Sequence, residues 1–166
     1  MTIDLFKRLG WFAFFFIIQV MMFGHMHLFH CATPLFYVYF VLMFPRNHAK
    51  WAILVWSFAL GLLIDIFLNT PGLAAASLTL LAAIQPYFLE LFIPRDGADN
   101  LQPSLVTMGP AKYTYYVTPL VILYCIVFFT LEQFSFFNAL YWMMCVVGSS
   151  IITLVLIFTF EIGRRR

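Results

Sequence analysis

The chain has 166 residues, 64% of them apolar and only 10% charged, with a formal charge of +2. A soluble core of this length cannot hide 21 phenylalanines, so the bilayer must be the solvent for most of the surface. The small positive charge is too low to suggest nucleic acid as a partner, and no polar stretch is long enough for a separate soluble domain; one all-α integral membrane domain over residues 1–166 is predicted.

Lys7 and Arg8 precede an apolar run as they would in a signal peptide. No small-x-small cleavage site follows, and apolar segments continue along the chain, so the first segment reads as a retained anchor. Leu28, Phe29, His30 and Cys31 outline a lipoprotein cleavage site, but Phe29 and His30 are too bulky for it. From Leu9 to Phe44 the sequence is apolar apart from Gly24, His25, His27, His30 and Pro34. As one helix this stretch would be ~54 Å long, too much for a single crossing of a ~30 Å core. Two short spans are expected instead, at about residues 9–23 and 28–44, with Pro34 kinking the second or sitting in its first turn.

A short polar break, Pro45 to Lys50, leads to a third span over about 51–68, anchored at the interface by Trp51. Pro71 and Gly72 then stop the helix and reverse the chain. The fourth span covers about 73–92 and should bend at Pro86. A loop over 94–112 follows, with prolines at 94, 103 and 110. Tyr113, Tyr115 and Tyr116 open a fifth span over about 113–131, and a sixth covers 136–162 before the arginine tail. Six spans put both termini, Pro45–Lys50 and the 94–112 loop on one side. That side then holds all nine lysines and arginines, which makes it cytoplasmic.

The least expected residue is Asp65, an acid inside an apolar span, where a carboxylate costs roughly 2.5–3.5 kcal/mol at the bilayer centre. It lies fourteen residues beyond Trp51, ~21 Å up a helix, in the outer half of the membrane. Gly61, Asp65 and Asn69 recur every four residues and so share one stripe. One reading has Asp65 hydrated at the boundary or bonded to Asn69 and nearby backbone. The other makes the stripe a contact face for a partner or another helix, with Pro71 and Gly72 holding the hairpin. Ala75, Thr79 and Ala83, and likewise Cys145, Ser149 and Thr153, are further small-residue faces suited to packing within the chain.

No chemistry is expected of Cys31, Cys125 and Cys145, which lack metal-ligand spacing and read as small apolar filler. His25 and His27 point to different sides of a helix, and with His30 they read as interfacial rather than metal-binding. No nucleophile–base pair, phosphate loop or metalloprotease motif is present, so neither enzymatic activity nor a cofactor is expected. Glu161 is expected to pair with the arginine tail.

The stretch from Gly61 to Ala74, a glycine, two leucines, a variable position and Asp65, then a turn and a small-residue helix, resembles the signature of the rod shape-determining protein MreD family. The resemblance implies a non-catalytic scaffold of the bacterial cell-wall elongation machinery in the inner membrane. Its expected partners are the bitopic protein MreC and, through that assembly, MreB filaments and the peptidoglycan synthase pair. It also implies six helices in a fold resembling the substrate-binding subunit of vitamin-type ECF transporters. The alternative function is therefore that of a small-molecule-binding subunit of such a transporter, for which Asp65, Asn69, Gln19 and the three histidines would be the polar groups.

Overall fold

The computed structural model describes residues 2–23, 33–46, 48–92, 102–133 and 139–164. The described residues form seven α-helices and contain no strand: α1 (Thr2–Ile18), α2 (Val38–Leu42), α3 (Lys50–Leu68), α4 (Leu73–Phe92), α5 (Leu105–Met108), α6 (Pro110–Gln133) and α7 (Ala139–Arg164). α3, α4, α6 and α7 are each long and apolar enough to cross a membrane. α1 carries a shorter apolar stretch, Arg8–Met21, and continues into a π-helical turn over Gln19–Phe23.

Polarity is distributed as lipid demands rather than as water does. Phe58, Ile66, Met144, Ile151 and Val155 stand exposed on the outside, whereas Gln19, Ser57, Ser77, Gln85, Ser149 and Thr153 are buried within. Hydrocarbon solvates the first group at no cost, and the second group bonds or packs between helices. α4 is the middle of the bundle, packed on α3 on one side and on α6 on the other, with α7 against α6. α4 and α6 run through Pro86 and Pro119 without ending.

The second expected span departs from the prediction. Against a helix expected over 28–44, of the described residues 33–35 are irregular, 36–37 form a turn, and Val38–Leu42 alone is helical. Leu35 to Leu42 are all buried, so this broken segment lies along the axis of the bundle. Non-helical backbone at membrane depth survives only where protein supplies its missing hydrogen bonds. Here it does. Ser149 Oγ accepts the Thr33 N–H (3.0 Å) and Thr153 Oγ1 the Leu35 N–H (3.1 Å). Gln19 donates to the Pro34 carbonyl (3.0 Å), and Gln85 donates to that of Phe44 (3.3 Å) and to the Tyr116 hydroxyl (2.9 Å). The hydroxyls of Tyr37 and Tyr124 pair at 2.5 Å across the same core.

α1 and the broken segment run antiparallel. Gln19 meets Pro34 at one end, Phe12 and Phe15 pack edge-on against Phe40 midway, and Arg8 meets His48 at the other. The last of these is the basic end. Lys50, whose ammonium lies over the Tyr87 ring, and Arg164, which donates to Tyr39, gather there too.

Candidate functional site

Asp65 belongs to the last turn of α3 and is buried. α3 ends on Asn69, which adopts the left-handed conformation (φ 56°) that asparagine tolerates better than most residues. Gly72 (φ 76°) completes the reversal, and α4 begins at Leu73. The first backbone N–H groups of α4 have no partner within their own helix. Asp65 supplies it: Oδ1 accepts from Ala74 N–H (2.9 Å) and Oδ2 from Ala75 N–H (2.8 Å). Thr70 Oγ1 donates to Oδ1 as well (2.6 Å), and the Thr70 N–H returns to the Asp65 carbonyl (3.0 Å). A carboxylate at the positive end of the helix dipole, bonded to three donors, has the partners that permit burial.

Gly61 explains how the acid reaches. A Cβ at Gly61 would lie 2.5 Å from Ala75 Cα and 2.7 Å from its nitrogen. No side chain fits, so the glycine lets α3 approach α4 to backbone contact. One turn later Asp65 meets the same amides. The expected Gly61, Asp65 and Asn69 stripe is therefore divided: the first two face α4, while Asn69 stands exposed at the tip with Pro71 and Gly72. Asp65 bonds Thr70 and α4, and not the Asn69 side chain.

Beside this hairpin runs an open groove of about 1050 Å³. Phe58, Leu62 and Ile66 of α3 form one wall, Ala76 and Ala83 of α4 the other, and Asp65 and Thr70 close its end. Ala75, Thr79 and Ala83 all line it, so this small-residue face is only partly spent inside the chain: Ala75 is buried, but Ala83 is exposed. The Cys145, Ser149 and Thr153 face, in contrast, turns inward onto the broken segment. Cys145 is disulfide-bonded and Cys125 is a free, buried thiol, so the filler reading holds for the latter alone of the two. His25, His27, His30 and Cys31 lie outside the described residues. Among the described residues no three His, Cys, Asp or Glu side chains form a metal-sized group.

A second polar cluster holds the basic end together. Glu161 is buried; its carboxylate accepts from the Tyr39 hydroxyl and from the Leu105 N–H (3.3 Å), with the Arg164 guanidinium 3.6 Å away. The tail pairing expected for Glu161 is thus present, and the tie to α2 and α5 is additional. Ser104 caps α5 by accepting the Thr107 N–H (3.2 Å). The Tyr39 and Leu105 bonds to Glu161 had no sequence signal, because each joins residues more than 50 positions apart.

No family model, curated protein or solved structure matches this chain.

Proposed function

We propose that the chain is a non-catalytic membrane scaffold that receives a partner's transmembrane helix in the groove between α3 and α4. The resemblance of Gly61–Ala74 to the MreD family supplies the setting: the bacterial cell-wall elongation machinery, with an MreC-type bitopic protein as the partner. MreB filaments and the peptidoglycan synthase pair would be reached through that assembly. In this reading the first 44 residues cross the inner membrane twice, giving six spans with both termini cytoplasmic, in a fold like that of vitamin-type transporter subunits.

The groove is the observation that carries the proposal. Large apolar side chains recur along its α3 wall at helical spacing, and Ala75, Ala76, Thr79 and Ala83, with Leu80, line it from α4. A ridge of another helix packs into such a groove by close contact, which is how helices associate where hydrophobicity gives no drive. Asp65, held by three internal donors, shapes the end of the groove and performs no proton transfer.

The test is affinity purification in mild detergent, comparing the wild type with an Ala76→Phe/Ala83→Phe variant. Both alanines are exposed, so the variant should fold while its groove is filled. Loss of the copurifying bitopic protein, together with loss of cell-shape complementation, is expected. Full retention of both would remove the groove from the account. A small molecule copurifying in place of any protein partner would turn the reading to the transporter subunit.

A further inference from the structure

α7 holds the broken segment in a regular register. Ser149 Oγ accepts the Thr33 N–H, and one helical turn further on Thr153 Oγ1 accepts the Leu35 N–H. Four helical residues advance ~6.0 Å and two residues of extended chain ~6.6 Å, so the two backbones run the same way in matched steps. Carrying the match back by one turn sets position 145 of α7 against position 31 of the chain. Both positions are cysteine.

The state of the thiols agrees. Cys145 is buried and disulfide-bonded, whereas Cys125 is free. The sequence has three cysteines, so elimination leaves Cys31, outside the described residues, as the partner within the chain. Register and elimination are independent of each other, and they name the same pair. Backbones near enough for a serine hydroxyl to take a backbone N–H are also at about the approach a disulfide needs, ~4.4–6.8 Å between Cα atoms.

We propose that Cys31 and Cys145 form a disulfide that staples the entry of the broken segment to α7, installed by a disulfide-bearing thiol oxidant on the outer side of the membrane. Cys145 lies nineteen residues, ~28 Å, along α7 from Arg164 at the basic end, and so stands near the opposite surface. Disulfides persist in oxidising compartments and are rare in the cytosol. The compartment rests on the orientation proposed above; the pairing rests on register and elimination alone. One cysteine thiolate attacks the oxidant's disulfide and expels its first thiolate. The other then attacks the mixed disulfide, forms the Cys31–Cys145 bond and expels the second, so two electrons leave on the oxidant and two protons leave the thiols. The product adds a covalent tie to the two hydrogen bonds that already hold an irregular stretch of backbone in the bundle.

The experiment counts thiols. Cells making the full chain are quenched in acid, and the denatured protein is reacted with a polymer-tagged maleimide before and after reduction. The wild type should carry one adduct before reduction and three after. Without reduction, Cys125→Ser should carry none, and Cys31→Ser or Cys145→Ser two each; these counts do not require a folded variant. Three adducts on the unreduced wild type would overturn the disulfide. A single adduct on unreduced Cys31→Ser would overturn the pairing, because Cys145 would then be bonded elsewhere. Periplasmic labelling of Asn69→Cys, read beside the count, separates the two readings: three adducts with that label periplasmic remove the disulfide and leave the orientation standing, whereas three with it cytoplasmic remove both. In the purified protein, Cys31→Ser and Cys145→Ser should each lower the melting midpoint by about 5 °C or more, and the double variant should fall no further than the lower single. Unchanged midpoints, or losses that add, would overturn the stapling role.

Discussion

Replacing Asp65 with leucine sets two large terms against each other. The substitution removes the acceptor for the Ala74 and Ala75 amides and for the Thr70 hydroxyl. Hydrogen bonds to a charged group contribute about 1.5–3 kcal/mol each, so three amount to roughly 4.5–9 kcal/mol. Against this stands the relief of burying no carboxylate, roughly 2.5–3.5 kcal/mol by insertion scales. The difference is a net loss of about 1–6.5 kcal/mol, at the low end if water at the hairpin tip re-solvates Thr70. At about 2–4 °C per kcal/mol for a domain of this size, the melting midpoint should fall by several degrees or more. Asp65→Asn keeps one carbonyl oxygen and should fall between the two. The assay is a thermal melt in one detergent, beside a membrane-integration check, since insertion itself should survive loss of a polar group. A leucine variant that melts at or above the wild-type midpoint would refute the capping role.

Two further outcomes follow from the same geometry. Gly61→Ala should cost about 1–3 kcal/mol, because its Cβ would press on Ala75 backbone and not on a movable side chain. Since the two residues serve one contact, the Gly61→Ala/Asp65→Leu double variant should lose less than the sum of the singles; strict additivity in the melts would show them to be independent. For topology, cysteines introduced at the exposed positions Asn69 and Gln102 should label from opposite sides of the membrane, Asn69 from the periplasm and Gln102 only after permeabilisation. Labelling of both from one side, or the reverse pattern, would contradict the proposed orientation.

Run length and turn chemistry made the four long helices legible. Asn69, Pro71 and Gly72 are local signals, and Pro45–Lys50 interrupts the apolar pattern, so α3 and α4 announce both of their facing ends. The broken segment was not legible, for a physical reason. Hydropathy measures what a side chain prefers to leave, and leaving water for lipid looks the same as leaving it for the bundle interior. Residues 28–44 score as a span, yet the backbone of Thr33, Pro34, Leu35 and Phe44, flanking the short helix, bonds instead to Ser149, Gln19, Thr153 and Gln85, all distant in the chain except Gln19. The role of Asp65 was hidden for a similar reason: capping signals are read within about three residues of a helix start, and this cap acts from nine and ten residues before the amides it serves.

These two surprises have one cause, and it bears on where a partner can bind. In this chain most described interior polar side chains with a bond are spent where the helical ladder is interrupted: at the hairpin tip by Asp65 and Thr70, and along the axis by Gln19, Gln85, Ser149 and Thr153. Each of these groups except Thr70, whose hydroxyl donates to Asp65 itself, answers a backbone atom that lipid could not satisfy. An acid in a span is ordinarily the first place to seek a functional contact. Here that signal is consumed by the fold, so in the proposed scaffold role recognition would fall to what the fold leaves over. On the α3–α4 side the remainder is shape: Phe58, Leu62 and Ile66 on α3 beside the mostly small α4 residues Ala75, Ala76, Thr79 and Ala83, with Leu80 among them. Variants of the acid should therefore weaken a partner complex only as far as they unseat α4, whereas Ala76→Phe/Ala83→Phe should abolish it in a protein that melts normally.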